Sequence, residues 1–245
     1  MIAKTDEDIE GLKEIGGIIR QVLDEMEQAV RPGITTRDLD EIAGRMFSDL
    51  GATSAPKLAY DFPGYTCISV HNEAAHGIPG DRVLEEGQLV NIDVSAEKGG
   101  YWADSGRSMP VGRVASHLTD LCDATKKALD AGINAARAGN ALNMIGRAVE
   151  GLATKRGYRI IDGLVGHGVG SNIHEPPDVH NRFMPNLRSP LVEGLVITIE
   201  PFLTKGVGRY KESDDGWTLL TWDGSPSAQY EHTLIITKGA PIIVT

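Results

Sequence analysis

Four acidic residues interrupt apolar, strand-like segments of this sequence, and acids in such positions can bind metal ions. They are Asp93, Asp104, Glu200 and Glu231. A charged side chain inside a buried strand costs several kcal/mol unless it is paired. These segments hold too few Lys or Arg residues to supply the partners, which leaves a cation as the alternative. Each acid taken alone could equally lie on an exposed sheet face or edge.

The first two acids flank a turn signal, Glu97-Lys98-Gly99-Gly100, between two strand-like runs. A hairpin centred between Lys98 and Gly99 would place Asp93 directly opposite Asp104, with Cβ atoms about 5 Å apart. Like charges at that distance repel, so the pair would need a shared proton, solvent at a sheet edge or a cation. Two acids beside an exposed hairpin are the ordinary alternative.

Three histidines lie in segments rich in glycine and proline. They are His76 in the segment 76–80, His167 in 166–170 and His174 in 173–177. Such segments make poor helices and let the backbone approach a ligand closely. One loop histidine is usually an ordinary surface residue, but three in these settings indicate a functional site.

The charge of the four acids favours two cations over one. Two divalent ions would neutralise four carboxylates, whereas one would leave excess negative charge buried. Oxygen ligands with one imidazole suit Mn, Fe, Co or Zn. Two such ions about 3.5–4 Å apart would activate a hydroxide nucleophile and polarise a carbonyl group.

The elements that must position these residues form two similar helix pairs. Apolar spacing predicts helices over 6–30, with a capping box of Thr5 and Asp8, and from Thr35 or Thr36 to Gly51. It predicts a second pair over 116–136 and from an Asn140 cap to Gly157, and strands over 90–94, 196–200 and 229–236.

A shift of 106 positions places the first helix pair on the second. It superposes Arg31 on Arg137, Gly33 on Gly139, Leu39 on Ile145 and Gly51 on Gly157, although helix pairs can look alike by chance. We expect one α/β domain over 1–245, of mostly antiparallel strands covered by helices. Its halves would be about 1–110 and 111–245, with a site between them.

Composition excludes several classes of protein. The 245 residues carry a formal net charge of −10, so general binding to a nucleic-acid backbone is not expected. The two cysteines cannot make a disulfide framework, and no segment is apolar for long enough to span a bilayer. No secretory leader is evident, and we expect a cytoplasmic protein without membrane association.

The ordered motifs resemble those of the bacterial, type I methionine aminopeptidase family along the whole chain. The motifs are Cys67-Ile68-Ser69-Val70, His76-Gly77-Ile78-Pro79, Asn91-Ile92-Asp93-Val94, Gly166-His167-Gly168-Val169-Gly170, Ile173-His174-Glu175-Pro176-Pro177, Thr198-Ile199-Glu200-Pro201 and Ser227-Ala228-Gln229-Tyr230-Glu231-His232-Thr233. The resemblance implies the pita-bread fold, whose two pseudo-symmetric halves would account for the repeated helix pair.

The same resemblance implies roles for individual residues. The ligands of two divalent ions (Co, Mn, Fe or Zn) would be Asp93, Asp104, His167, Glu200 and Glu231, with Asp104 and Glu231 bridging the ions. The catalytic residues would be His76, His174 and Glu200, of which the two histidines also contact substrate. An apolar slot for a methionine side chain would use Tyr60, Phe62, Tyr65, Cys67 and Trp217, although ordinary core packing explains such residues equally well.

The implied function is removal of an initiator methionine followed by a small second residue. The expected partners are the amino termini of peptides and of nascent chains at the ribosome, and the enzyme would act as a monomer. The alternatives are an Xaa-Pro peptidase and a non-catalytic peptide-binding homologue of the same fold. Departures from the family pattern are His71, Asp61 and the Ser105-Gly106 pair that follows Asp104.

Overall fold

The computed structural model describes residues 1–245, with five helices and fifteen short strands. The helices are α1 (Asp6–Ala29), α2 (Thr36–Leu50), α3 (Ala55–Tyr60), α4 (Ser116–Ala135) and α5 (Asn143–Lys155). The strands are β1 (Thr53–Ser54), β2 (Cys67–Val70), β3 (Glu73–Ala75), β4 (Leu89–Lys98), β5 (Tyr101–Pro110), β6 (Arg159–Ile160), β7 (Gly166–Gly168), β8 (Glu175–Val179), β9 (Val196–Ile199), β10 (Phe202–Thr204), β11 (Tyr210–Glu212), β12 (Leu219–Thr221), β13 (Ser227–Gln229), β14 (His232–Ile235) and β15 (Ile242–Ile243).

All strand pairs are antiparallel. The longest hairpin, β4 with β5, also pairs with β1 and β2, while a second sheet has the order β15-β14-β9-β7-β8. Two smaller sheets, β13-β10-β6 and β11-β12-β3, complete the strand layer. No helix has the combination of length and apolar character that crossing a bilayer requires.

The predicted start signals explain the first helix pair. Thr5 and Asp8 form the predicted capping box of α1, and Thr35 and Asp38 form one at α2. The second pair differs at one point, because Asn140 does not cap α5, which begins at Asn143. Asn140 instead donates from Nδ2 to the carbonyl oxygen of Ala135 at 2.9 Å, near the end of α4. An asparagine that precedes a helical pattern can therefore hydrogen-bond to the end of the preceding helix and leave the following helix uncapped.

The turns within the two helix pairs make matching contacts with segments that lie outside the named strands. Gly33 and Gly139 have φ of 92° and 90°, a conformation that favours glycine. Their amides donate to the carbonyl oxygens of Leu84 and Leu191 at 2.8 and 2.9 Å. The bridges that follow, Thr35 with Val83 and Ala141 with Pro190, are also nearly 106 residues apart. The structure of these turns thus follows the repeat in the sequence, while the boundary between the halves near residue 110 stays a prediction.

Each helix pair covers its own apolar core. Residues of α1 and α2 pack on the apolar face of β4, and residues of α4 and α5 pack on β9 and β14. The strand face that is not used by either core carries the acidic residues.

The β4–β5 hairpin differs from the predicted register by two residues. Gly99 and Gly100, with φ of 61° and 87°, form the turn, so Lys98 pairs with Tyr101. Asp93 therefore lies opposite Gly106, and Asp104 lies opposite Ser95. The prediction that the two aspartates are directly opposed was wrong. A shift of two residues keeps every side chain on its face, so the two remain diagonal neighbours on one face.

Candidate functional site

A single cavity of about 770 Å³ collects most of the predicted site residues. Ten of them line it: Tyr60, Phe62, Cys67, His76, Asp93, Asp104, His167, His174, Glu200 and Trp217. The charged residues of the lining are all acidic, and no lysine or arginine is among them. The volume is within the range of about 300–1,000 Å³ that is usual for ligand pockets.

Four of the five candidate metal ligands line this cavity, and Glu231, which is not in the lining, lies beside Asp104 and His167. Ligand atoms of Asp104, His167 and Glu231 all lie within 4.8 Å of one another. Nε2 of His167 is 3.8 Å from Oδ2 of Asp104 and 3.5 Å from Oε1 of Glu200. Asp93 contributes the fifth group beside Asp104. Residues separated by more than a hundred positions in sequence thus form one cluster.

Strands and strand ends from before and after residue 110 carry these side chains. Asp93 lies within β4 and Asp104 within β5, whereas His167 lies within β7, Glu200 directly follows β9, and Glu231 lies between β13 and β14.

Hydrogen bonds join β5 to the segment that carries Glu231. The Thr233 hydroxyl accepts from the amide of Asp104 at 2.9 Å and donates to its carbonyl oxygen at 2.8 Å. The Ser105 hydroxyl donates to the carbonyl oxygen of Glu231 at 2.8 Å. These contacts fix the distance between the Asp104 and Glu231 backbones.

Neutral polar side chains behind the cluster orient its members. Gln229 donates from Nε2 to Oε2 of Glu231 at 3.0 Å and accepts from Nδ2 of Asn91 at 2.7 Å. Room for Gln229 depends on Gly106, because a Cβ there would lie 2.3 Å from Oε1 of Gln229. The departure at Gly106 thus has a structural use. Partners of this kind commonly set the orientation of metal ligands.

Two further contacts orient His167 and Glu200. The Thr198 hydroxyl donates to Oε1 of Glu200 at 3.1 Å. Nδ1 of His167 is 2.9 Å from the carbonyl oxygen of Gly168, to which only a protonated nitrogen can donate. Nε2 is then the nitrogen left with a lone pair for a cation. Gln229, Asn91 and Thr198 were not predicted as site residues. Their only sequence signal is a polar residue within a buried strand beside a candidate ligand.

Burial shifts the pKa of every acid in the cluster upward. Burial raises the pKa of Asp93 to about 6. It also raises the pKa of Asp104, Glu200 and Glu231 well above the ordinary value, with added repulsion from the neighbouring carboxylates. Burial lowers the pKa of His167 to about 3, so its imidazole is neutral.

The cluster fits divalent cations. Oδ1 of Asp104 and Oε1 of Glu231 are buried and have no hydrogen-bond partner. Unpartnered anionic oxygens and a neutral imidazole are costly without a cation and are good ligands with one.

The two other predicted histidines lie beside the cluster. The rings of His167 and His174 have centroids 4.1 Å apart, and the Tyr60 hydroxyl oxygen is 2.5 Å from Nδ1 of His174. His76 has φ of 54°, and the following Gly77 leaves no room for a Cβ against the carbonyl of Ile68. Loss of solvent lowers the pKa of His76 and of His174, so both are neutral hydrogen-bonding groups near pH 7.

Aromatic rings form one wall of the cavity. Phe62 and Trp217 meet edge to face with centroids 5.1 Å apart. The Cys67 thiol is buried among carboxylates, which raises its pKa and keeps it uncharged. Tyr65 differs from the prediction, because it lies outside the lining, with its ring against Gly44 and the Lys57 ammonium 4.4 Å from its centroid.

His71 and Asp61, two departures from the family pattern, are both backbone features with positive φ, at 62° and 55°. Asp61 ends α3 in the left-handed conformation. Neither residue lines the cavity.

The fold and the buried acid and histidine cluster are those of a metallopeptidase. The chain belongs to metallopeptidase family M24, whose sequence pattern matches residues 10–238. Within that family it is 47% identical to the methionine aminopeptidase of Staphylococcus epidermidis, an alignment that covers 100% of this chain and 98% of the relative. It is 44% identical to methionine aminopeptidase 2 of Bacillus subtilis, with 100% and 99% covered.

A solved structure of the same type confirms the predicted fold class. The methionine aminopeptidase of Rickettsia prowazekii superposes with a TM-score of 0.96 at 35% identity, covering all of both chains. A prolidase from Pyrococcus furiosus superposes with a TM-score of 0.80 at 23% identity, and this chain covers 65% of it, which shows a shared fold only.

Proposed function

We propose that this protein hydrolyses the first peptide bond of chains that begin with methionine and releases the methionine. The observation that carries the proposal is the cluster of four acids and His167, most of which line a cavity with an aromatic wall. Full-length identity of 47% to a methionine aminopeptidase supports the same function. A small second residue is the expected preference, because the cleaved bond must reach the bottom of the cavity.

Five side chains would hold two divalent ions: Asp93, Asp104, His167, Glu200 and Glu231. When bound, such ions supply Lewis acidity and lower the pKa of water to near neutrality. Their charge would also neutralise the repulsion that adds to burial in raising the pKa of Asp104, Glu200 and Glu231.

The remaining steps belong to side chains of the protein. Glu200 would accept a proton from the attacking water and return it to the leaving amine, as a general base and acid. His174 would donate a hydrogen bond to the scissile carbonyl oxygen as negative charge develops there. His76 would contact the scissile amide nitrogen. Phe62, Cys67 and Trp217 would hold the methionine side chain.

The physiological substrates that we propose are nascent chains as they leave the ribosome in the cytoplasm. One chain supplies all five candidate ligands, so a monomer is sufficient for the site. Only a flexible amino terminus can enter a cavity of 770 Å³, and newly made chains have such a terminus.

The test is anaerobic titration of the purified protein with Mn, Fe, Co and Zn, with Met-Ala-Ser as substrate. We expect metal-dependent release of methionine, and none from the acetylated peptide, which lacks the amine. Met-Leu-Ser, with a large second residue, should be a much poorer substrate. Absence of release with every metal, or cleavage of Xaa-Pro peptides alone, would overturn the proposal.

A further inference from the structure

Tyr60 has a contact that a slot for an apolar side chain does not require. Its hydroxyl oxygen lies 2.5 Å from Nδ1 of His174, with the two rings tilted and their centroids 5.6 Å apart. This is the only hydrogen bond that the Tyr60 hydroxyl makes within the protein. It joins the end of α3 to the segment that begins β8, two parts of the chain 114 residues apart.

The donor and acceptor strengths of the two groups favour one direction for this bond. A neutral imidazole has one N–H and one acceptor nitrogen, whereas a phenol has one O–H to donate. The phenol O–H is the more acidic donor and the imidazole nitrogen is the more basic acceptor, so the bond is stronger when Tyr60 donates to Nδ1 of His174. In that direction the imidazole hydrogen is on Nε2, which makes no hydrogen bond within the protein and stays free for substrate.

The backbone of α3 holds Tyr60 in this position. Pro56 lies in the first turn of the helix, and Tyr60 is its last residue before Asp61, which has φ of 55°. Tyr60 remains 45% exposed, so little apolar burial holds its ring at the mouth of the cavity. The hydroxyl contact with His174 is the specific interaction at this position.

We propose that Tyr60 is a positioning residue: its hydroxyl donates to Nδ1 of His174 and keeps the imidazole in the tautomer that carries its hydrogen on Nε2. This inference rests on the proposed function, in which that N–H meets the scissile carbonyl oxygen. The other tautomer would present a lone pair to developing negative charge and would oppose the reaction.

The first test is the kinetics of Tyr60→Phe with Met-Ala-Ser. Removal of one donor to an oxyanion lowers kcat by about 10²–10³. Loss of Tyr60 only frees the tautomer of such a donor, so we expect kcat to fall about tenfold with KM within about twofold. The matched control is Tyr65→Phe, a neighbouring tyrosine outside the cavity, which should keep wild-type values. A higher KM with unchanged kcat would show a simple packing role and overturn the inference.

A double-mutant cycle separates action through His174 from direct action. In a His174→Ala background, Tyr60→Phe should cause no further loss of kcat, because the group that it orients is gone. A full tenfold loss in that background would show that Tyr60 acts on substrate or metal by itself, and the inference would be wrong.

The second measurement does not depend on turnover. In zinc-loaded protein, which is diamagnetic, ¹⁵N NMR should show His174 with a protonated Nε2 and an unprotonated Nδ1. Tyr60→Phe should give a mixture of tautomers, and Tyr65→Phe should not. A protonated Nδ1 in the wild type would overturn the inference even if methionine is released. The expected spectrum without release would overturn only the proposed function.

Discussion

Asp104 and Glu231 each keep a buried oxygen that no donor in the protein reaches. Repulsion by Glu231 adds to burial in raising the pKa of Asp104. A carboxyl whose pKa is raised in the folded state does not change the free energy of unfolding while it is protonated in both the folded and the unfolded state. It destabilises the fold as pH rises above the unfolded pKa. The cluster is therefore a stability defect of the metal-free protein at neutral pH.

From this repulsion we predict that Asp104→Asn stabilises the metal-free protein. At pH 8 without metal, the variant should have a higher Tm than the wild type, because one of the mutually repelling charges is gone. The difference should vanish as pH falls toward 4. With metal added, the order should reverse, and methionine release should fall by at least about 10²-fold, since ligand loss costs affinity as well as activity. Thermal melts and metal analysis of the purified proteins measure both effects.

The control is Asp178→Asn, which removes an exposed acid of the cavity lining that is outside the ligand cluster. It should leave the metal-free Tm and the bound metal unchanged. If Asp104→Asn lowers the metal-free Tm at pH 8, the repulsion argument is wrong.

Single residues were predictable where their chemistry conflicted with their surroundings. Acids within apolar strand patterns identified Asp104 and Glu231, and the glycines around His167 identified that histidine. Gln229 and the hydroxyl of Tyr60 were not predictable, because an amide or a tyrosine in such segments conflicts with nothing. Their roles arise from neighbours that only the folded chain supplies.

At the scale of elements, the β4–β5 hairpin depends on Gly106 as much as on its turn. Its missing side chain admits the Gln229 amide, which joins Asn91 to Glu231. A larger residue at that point of β5 would have to displace a buried polar group whose partners are already satisfied.

We therefore predict that Gly106→Ala loses about 1–3 kcal/mol of unfolding free energy by overpacking. It should also weaken metal binding, since Glu231 loses its orienting donor. Urea unfolding of chelator-treated protein and metal titration measure the two effects separately. The control is Gly151→Ala in α5, where a Cβ meets nothing within 4 Å and where we expect a gain of up to about 1 kcal/mol. Unchanged metal affinity in Gly106→Ala would contradict an orienting role for Gln229.

Elements were predictable where local signals decide them. Both capping boxes of the first helix pair and the glycine that ends α2 are local. The register of the β4–β5 hairpin was not predictable in this way, because two adjacent glycines allow the turn to centre on either side of Gly99. The start of α5 was also not predictable from a local signal, since Asn140 donates to the preceding helix and does not cap α5.

For the whole molecule, the cluster is the point where the two parts of the chain meet. Asp93 and Asp104 come from before residue 110, and the other three candidate ligands come from after it. The repeated helix pairs were visible in the sequence as a shift of 106. The meeting of the five ligands was not, because it depends on contacts between residues far apart in the chain, such as those that join Asp104 to Thr233 and Ser105 to Glu231.

Metal should consequently stabilise the molecule as a unit. At a free metal concentration of 100 times Kd, binding adds about 2.7 kcal/mol to the unfolding free energy. For a chain of this length, each kcal/mol raises Tm by about 2–4 °C, so a rise of about 5–10 °C is expected. Calorimetry with saturating Mn and with a chelator measures it, and Asp104→Asn should show a much smaller rise. Equal Tm values in the wild type would argue against a metal centre between the two parts.

The depth of the cluster limits when the protein can act. Glu231 is only 2% exposed and Asp104 only 7%, so a peptide bond must be threaded to the bottom of the cavity to reach them. A folded domain of 100 residues has a radius of gyration of about 13 Å and cannot follow its own first residue there. Each substrate would then be cleaved only during a limited interval, which ends once its first residues are packed into a folded domain. The order of events in the life of a new protein, as much as its second residue, would decide whether the methionine stays.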